Sequence, residues 1–114
     1  MTRIVARLES PADLVQAAFF IHRLTGAPLL QSRRRLQCGA VVVEFLLFHN
    51  DHTVVAQQLR YLIAHAPGFG RLRLYELGDD PATCVDPDDP REIAAATALQ
   101  LLARFERDLA RCVG

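Results

Sequence analysis

The sequence predicts an α+β domain with the element order β-α-β-β-α-β-α. Three observations carry this. Thr2–Leu8 and Arg71–Leu77 alternate apolar with polar residues, the mark of half-buried strands. Val55, Leu59, Leu62 and Ala66, and later Ala98, Leu102, Phe105, Leu109 and Cys112, recur at helical spacing. The 114 residues, 51% of them hydrophobic, suffice for one core without disulfide or metal staples, and no repeat or domain-sized linker divides them.

In the first strand Ile4, Ala6 and Leu8 share one side, and Arg3, Val5 and Arg7 the other. "SPAD" follows: Ser10 can cap a helix, Pro11 suits its first position and Asp13 completes a capping box. That helix is apolar on most sides and ends at Gly26 and Pro28. Leu29–Gln37, with Arg33, Arg34 and Arg35, is expected as a second strand. Cys38-Gly39 would turn it into the third, Ala40–Phe48, the most apolar run of the chain. Asn50 and Asp51 offer caps for a helix reaching about His65, which "APGFG" breaks. The fourth strand sets Leu72 and Leu74 opposite Arg71, Arg73 and Tyr75. The organisation expected is a single domain: a core over 1–78, an acidic loop over 79–90, and a C-terminal helix over 91–112.

The first six elements match the split βαβ, ferredoxin-like pattern with one helix added. The alternative drops the arginine strand and leaves a small three-stranded parallel α/β fold. In the ferredoxin-like arrangement helices cover one sheet face, and the first and third strands are central. Val41, Val43, Phe45 and Leu47 would then face the helices. Ala40, Val42, Glu44, Leu46 and Phe48 would face away, beside Arg3, Arg7, Arg71 and Arg73. That outer face is too apolar to be left wet, so the last helix, a second subunit or a ligand should cover it. Glu44, once covered, needs an arginine partner, because burying a lone carboxylate costs several kcal/mol.

Residues Cys38–Phe45, "CGAVVVEF", resemble the third strand of the RNA-recognition motif, which runs roughly Lys/Arg-Gly-aromatic-Gly/Ala-aromatic-Val-x-aromatic. Gly39, Val43 and Phe45 fit, and Val41 fits loosely. The resemblance implies an RNA-binding sheet face assisted by Arg33–Arg35. Ala40 and Val42 stand where that family stacks bases, and Val5 stands at the matching position of the first strand. With zero net charge as well, nucleic acid is not the expected partner.

His49 and His52 flank a strand exit, where ligands often bind. Their spacing lacks the fixed geometry of two histidines on one helix, so no metal and no cofactor is expected. The aspartates of the acidic loop do not follow the alternate-position pattern of a calcium loop. "PGFG" lacks the lysine and full glycine pattern of a phosphate loop. The basic residues are all arginine. Three widely spaced cysteines without a CxxC fit a reducing cytoplasm, and Cys84 is the thiol expected to be exposed. No signal core follows the N-terminal arginine, and no apolar run approaches the length that spans a bilayer.

These features lead to a non-catalytic accessory or regulatory module in the cytoplasm, a homodimer, binding a protein partner or a small anionic ligand. Its candidate residues are Glu44, Arg3, Arg7, Arg71, Arg73, Val42, Leu46, Phe48, His49 and His52. The alternatives are a small dimeric α+β enzyme using Glu44, His49 and His52, and an RNA-binding protein using the arginine-rich face.

Overall fold

Alternation in the first eleven residues produces the strand on which the structure is built. In the computed structural model β1 (Thr2–Glu9) turns Ile4, Ala6 and Leu8 into the core and Arg3, Val5 and Arg7 to the opposite face. The structure describes residues 2–47, 52–80, 85–86 and 88–113, with the side chains of Thr2, Leu109, Cys112 and Val113 outside the description. Ser10, at φ 49°, ends β1. The helix α1 (Leu14–Thr25) is capped by Asp13, which accepts from the N–H groups of Val15 and Gln16, and not by Ser10. Residues 10–12 belong to a turn instead, where the Ala12 N–H donates to the Phe69 carbonyl. Gly26, left-handed at φ 74°, closes α1.

The arginine segment is a helix, not a strand: α2 spans Leu29–Cys38. Its residues are good helix formers without a β-branched side chain among them. Ser32 and Leu36, one turn apart, are buried, and Leu29 packs on the core from the same side. Gly39 is not the corner of a hairpin. At φ 66° it is a left-handed helix cap, its N–H donating to the end of α2 while Ala40 N–H reaches the Arg35 carbonyl. α1 and α2 thus form a helical hairpin.

Three further strands follow: β2 (Val43–Leu47), β3 (Arg71–Glu76) and the two-residue β4 (Glu92–Ile93). Between them lie α3 (His52–His65), with a 3₁₀ turn at Ala66–Gly68, and after them α4 (Ala95–Val113). The fold is therefore α+β, with four strands and four helices among the described residues. The sheet order is β2-β1-β3-β4 with every neighbouring pair antiparallel, which excludes the three-stranded parallel alternative. The expected ferredoxin-like order is not formed either. Without the arginine strand, β2 is an edge and not a central strand; β1 and β3 are central. The last helix begins at Ala95, later than residue 91, because Glu92 and Ile93 pair with Tyr75 and Leu74.

One large cluster fills the space between the sheet and the helices. Ile4, Ala6 and Leu8 meet Phe45, Leu47 and Leu74 of the sheet, Ile21 of α1, Leu36 of α2, Leu59 and Leu62 of α3, and Ala98 and Leu102 of α4. Each fully buried aliphatic side chain here contributes about 1.5–3 kcal/mol. The C-terminal helix lies on this side and does not cover the outer face. Among the described residues no helix is long and apolar enough to cross a membrane.

Candidate functional site

The outer sheet face carries a small apolar cluster ringed by ion pairs. Val5 and Tyr75, opposite one another in the β1–β3 ladder, are buried with Leu77 beneath Val41 and Val85. The cover comes from the chain itself, from the approach to β2 and from the acidic loop. Hydrogen bonds tie that loop down: Arg3 donates to the Asp80 carbonyl at 2.8 Å, and Arg91 bridges Asp80 and Asp89. The Arg91 guanidinium, aided by the Arg91 backbone N–H, holds the Asp89 carboxyl down at about 2.

Most of the sequence-predicted polar residues meet on this face, and they satisfy one another. Arg3 Nη2 lies 2.7 Å from Glu44, and this contact raises the arginine pKa. Arg7 is almost wholly buried and donates to the Gly39 carbonyl at 2.8 Å and to the Tyr75 hydroxyl at 3.3 Å. Arg73 grips both Glu92 oxygens, at 3.0 and 2.7 Å, and reaches Glu9 at 3.2 Å. That fork lowers the Glu92 pKa. Arg71 is exposed at the start of β3, opposite Glu9 in register. The arrangement is a structural lattice of charges, with carboxylates already occupying the guanidinium forks.

Three residues depart from their expected places. Val42 is fully buried in the main core, not on the outer face. Its N–H donates to the Ala6 carbonyl while Val43 is the ladder partner of Ala6. Two consecutive residues thus oppose one, as in a β-bulge, which reverses the alternation before β2. Leu46 does face outward but is 40% exposed, so the described residues cover it only in part. His52 lies in the helix layer, its ring 4.4 Å from Phe105 and its Nε2 4.0 Å from Glu106. Glu106 is held by Arg60 at 2.8 Å, which lowers its pKa. Glu44 and His52 are therefore on opposite sides of the sheet. Phe48, His49, Asn50, Asp51 and Cys84 lie outside the described residues. Among the described residues no three His, Cys, Asp or Glu side chains converge as a metal site.

A separate open concavity lies among the helices. A groove of about 450 Å³ runs between α1 and α3. Its wall is a row of rings: Phe69 stacks on Phe20 at 4.8 Å, Phe20 on Tyr61 at 5.9 Å, and Tyr61 lies 4.3 Å from His65. Gln58 donates to the Leu24 carbonyl across the groove at 3.4 Å. Gln16, Arg23, Val54 and Gln57 complete the lining. Tyr61 and Val54 are more than half exposed. The sequence carries a partial signal for this groove. Phe20 and Tyr61 flank the buried stripes of their helices, and Phe69 sits in "PGFG". Which helices pair side by side is a tertiary fact that periodicity does not contain.

No protein-family model, curated protein or solved structure matches the chain.

Proposed function

We propose that the protein is a non-catalytic accessory module that binds a small ligand in the groove between α1 and α3. The observation that carries this reading is the groove itself. Its volume of about 450 Å³ lies within the range of ligand pockets, about 300–1,000 Å³. Its lining sets the rings of Phe20, Tyr61 and Phe69 beside the polar side chains of Gln16, Arg23, Gln57, Gln58 and His65, so it offers both apolar contact and hydrogen bonds.

The rival sites support binding less well. Arg3, Arg7 and Arg73 of the outer face spend donors on Glu44, Glu9, Glu92 and backbone carbonyls. Glu44 and His52 share no position where a substrate atom could meet both, so an acid–base pair finds no support. The sheet face that would stack RNA bases has Val5 and Tyr75 at 1% and 0% exposure, so its described residues offer no aromatic platform. Titration of the ¹⁵N-labelled protein with a set of bicyclic aromatic fragments tests the reading. Shifts should concentrate at Phe20, Leu24, Tyr61 and Phe69. No shift at these residues with millimolar fragment would refute it.

A homodimer in the cytoplasm belongs to the same proposal. The open edge of β2 and the exposed Leu46 support self-association, and the odd cysteine count supports the compartment. Light scattering coupled to size exclusion should give twice 12.7 kDa; a monomer at 100 μM would remove the dimer from the proposal.

A further inference from the structure

We infer that the ligand of the α1–α3 groove is an amphipathic monoanion, an aromatic ring system bearing a carboxylate that docks on Arg23; this rests on the groove being the binding site. The groove has polarity along its length. The Gln58–Leu24 hydrogen bond and the Phe20–Tyr61 stack set the two helices antiparallel. Arg23 therefore stands toward the Gln57–Gln58 end of the groove, and His65 lies toward the opposite end with Gln16. The eight residues from Gln57 to His65 rise about 12 Å at 1.5 Å each. Between those ends lie Phe20, Tyr61 and Phe69.

The charges of the lining are one-sided. It includes no aspartate or glutamate. Arg23 is exposed there, and among the described residues no carboxylate pairs with it. On the outer sheet face, by contrast, Arg3 and Arg73 are matched by carboxylates of the chain. A guanidinium offers two parallel N–H donors to a planar carboxylate, and at Arg23 a ligand entering the groove can supply one. One fixed cation matches a single negative charge better than the double charge of a phosphate monoester. Tyr61 and Phe69, the accessible rings of the row, then supply apolar contact to the body of the ligand, and the glutamines supply neutral hydrogen bonds at its edges.

2-Naphthoate and 2-naphthamide share the same rings and differ in charge, so they separate the two parts of the inference. Both are titrated into the full chain and followed by ¹H–¹⁵N spectra, which also report the fold. The acid should bind about two- to fivefold more tightly than the amide, as an exposed guanidinium–carboxylate pair allows. Arg23→Gln should abolish that preference, while Arg23→Lys should retain part of it. Equal affinities in the wild type, or a preference that survives in Arg23→Gln, would overturn the anion inference and leave the groove as a neutral site. If neither probe shifts the groove residues, the binding reading fails along with it.

Discussion

Replacing Gly70 by alanine should destabilise the protein, while the same change two residues earlier should not. A Cβ on Gly70 would lie 2.7 Å from the Glu9 carbonyl oxygen, 3.2 Å from the Pro11 Cα and 3.3 Å from the Leu8 Cγ. The two nearest atoms are backbone, and the Ala12–Phe69 hydrogen bond pins the strands together there, so neither can swing aside. Overpacking of this kind costs about 1–3 kcal/mol. A Cβ on Gly68 would meet nothing within 4 Å. Gly68→Ala should gain about 0.4–1 kcal/mol by restricting the unfolded chain. The two variants should thus differ by at least about 1.4 kcal/mol. At about 4 °C per kcal/mol for a domain of this size, Gly70→Ala should melt about 4–12 °C below the wild type. The chain has no Trp, so far-ultraviolet circular dichroism during heat and urea unfolding is the assay. If Gly70→Ala melts within about 1 °C of both the wild type and Gly68→Ala, the close approach of β3 to the end of β1 is wrong.

Adjacent residues of β2 should respond in different ways: Phe45→Ala, at 1% exposure, should cost about 3–5 kcal/mol at any protein concentration, whereas Leu46→Asp should dissociate the proposed dimer and leave the urea midpoint of the dilute monomer little changed. A dimer that survives Leu46→Asp would mean that a second copy does not cover Leu46. Leu102→Ala, at 0% exposure, should cost about 2–5 kcal/mol and speed amide exchange throughout α4; normal exchange there would mean that Leu102 does not anchor the helix. Asp89, Glu92 and Glu106 are held below their ordinary values by Arg91, Arg73 and Arg60. A depressed carboxylate stabilises above its unfolded value and loses that contribution as pH falls through the folded one, so for Asp89 the loss runs from 3.8 to about 2. Urea midpoints should fall over this window, and less steeply in Asp89→Asn; parallel curves for the two proteins would contradict the pairing.

Much of the outer face was legible because a period of two needs no tertiary knowledge. Alternation alone put Arg3, Val5 and Arg7 with Arg71, Arg73 and Tyr75, and Glu44 and Leu46 joined them. It failed at Val42, where one bulged residue reverses parity and no residue type announces the bulge. The arginine segment was misread because Gly39 signals equally a hairpin corner and a helix end. The four-residue interval from Ser32 to Leu36 was the available clue, weakened by a buried serine in an apolar position. β4 was invisible because two residues have no period. The groove was missed for a related reason: Arg23 and Tyr61 each look like surface residues until α1 and α3 lie side by side.

The central place of β1 constrains how the chain can be made. Its partners lie far along the sequence: Ala6 waits for Val43, and Glu9 waits for Arg71. At about 5–20 residues per second, some 70 residues of synthesis separate the emergence of β1 from that of β3 by about 4–14 s. Throughout this interval Ile4, Ala6 and Leu8 have no completed sheet to enter. The α1–α2 hairpin, built from local contacts, can form in the meantime and shelter them. Productive folding is then a late closure of β3 onto a waiting strand. A ribosome paused with β2 out but β3 incomplete would hold β1 open along its β3 edge, the state in which this chain is most exposed to aggregation and chaperone capture.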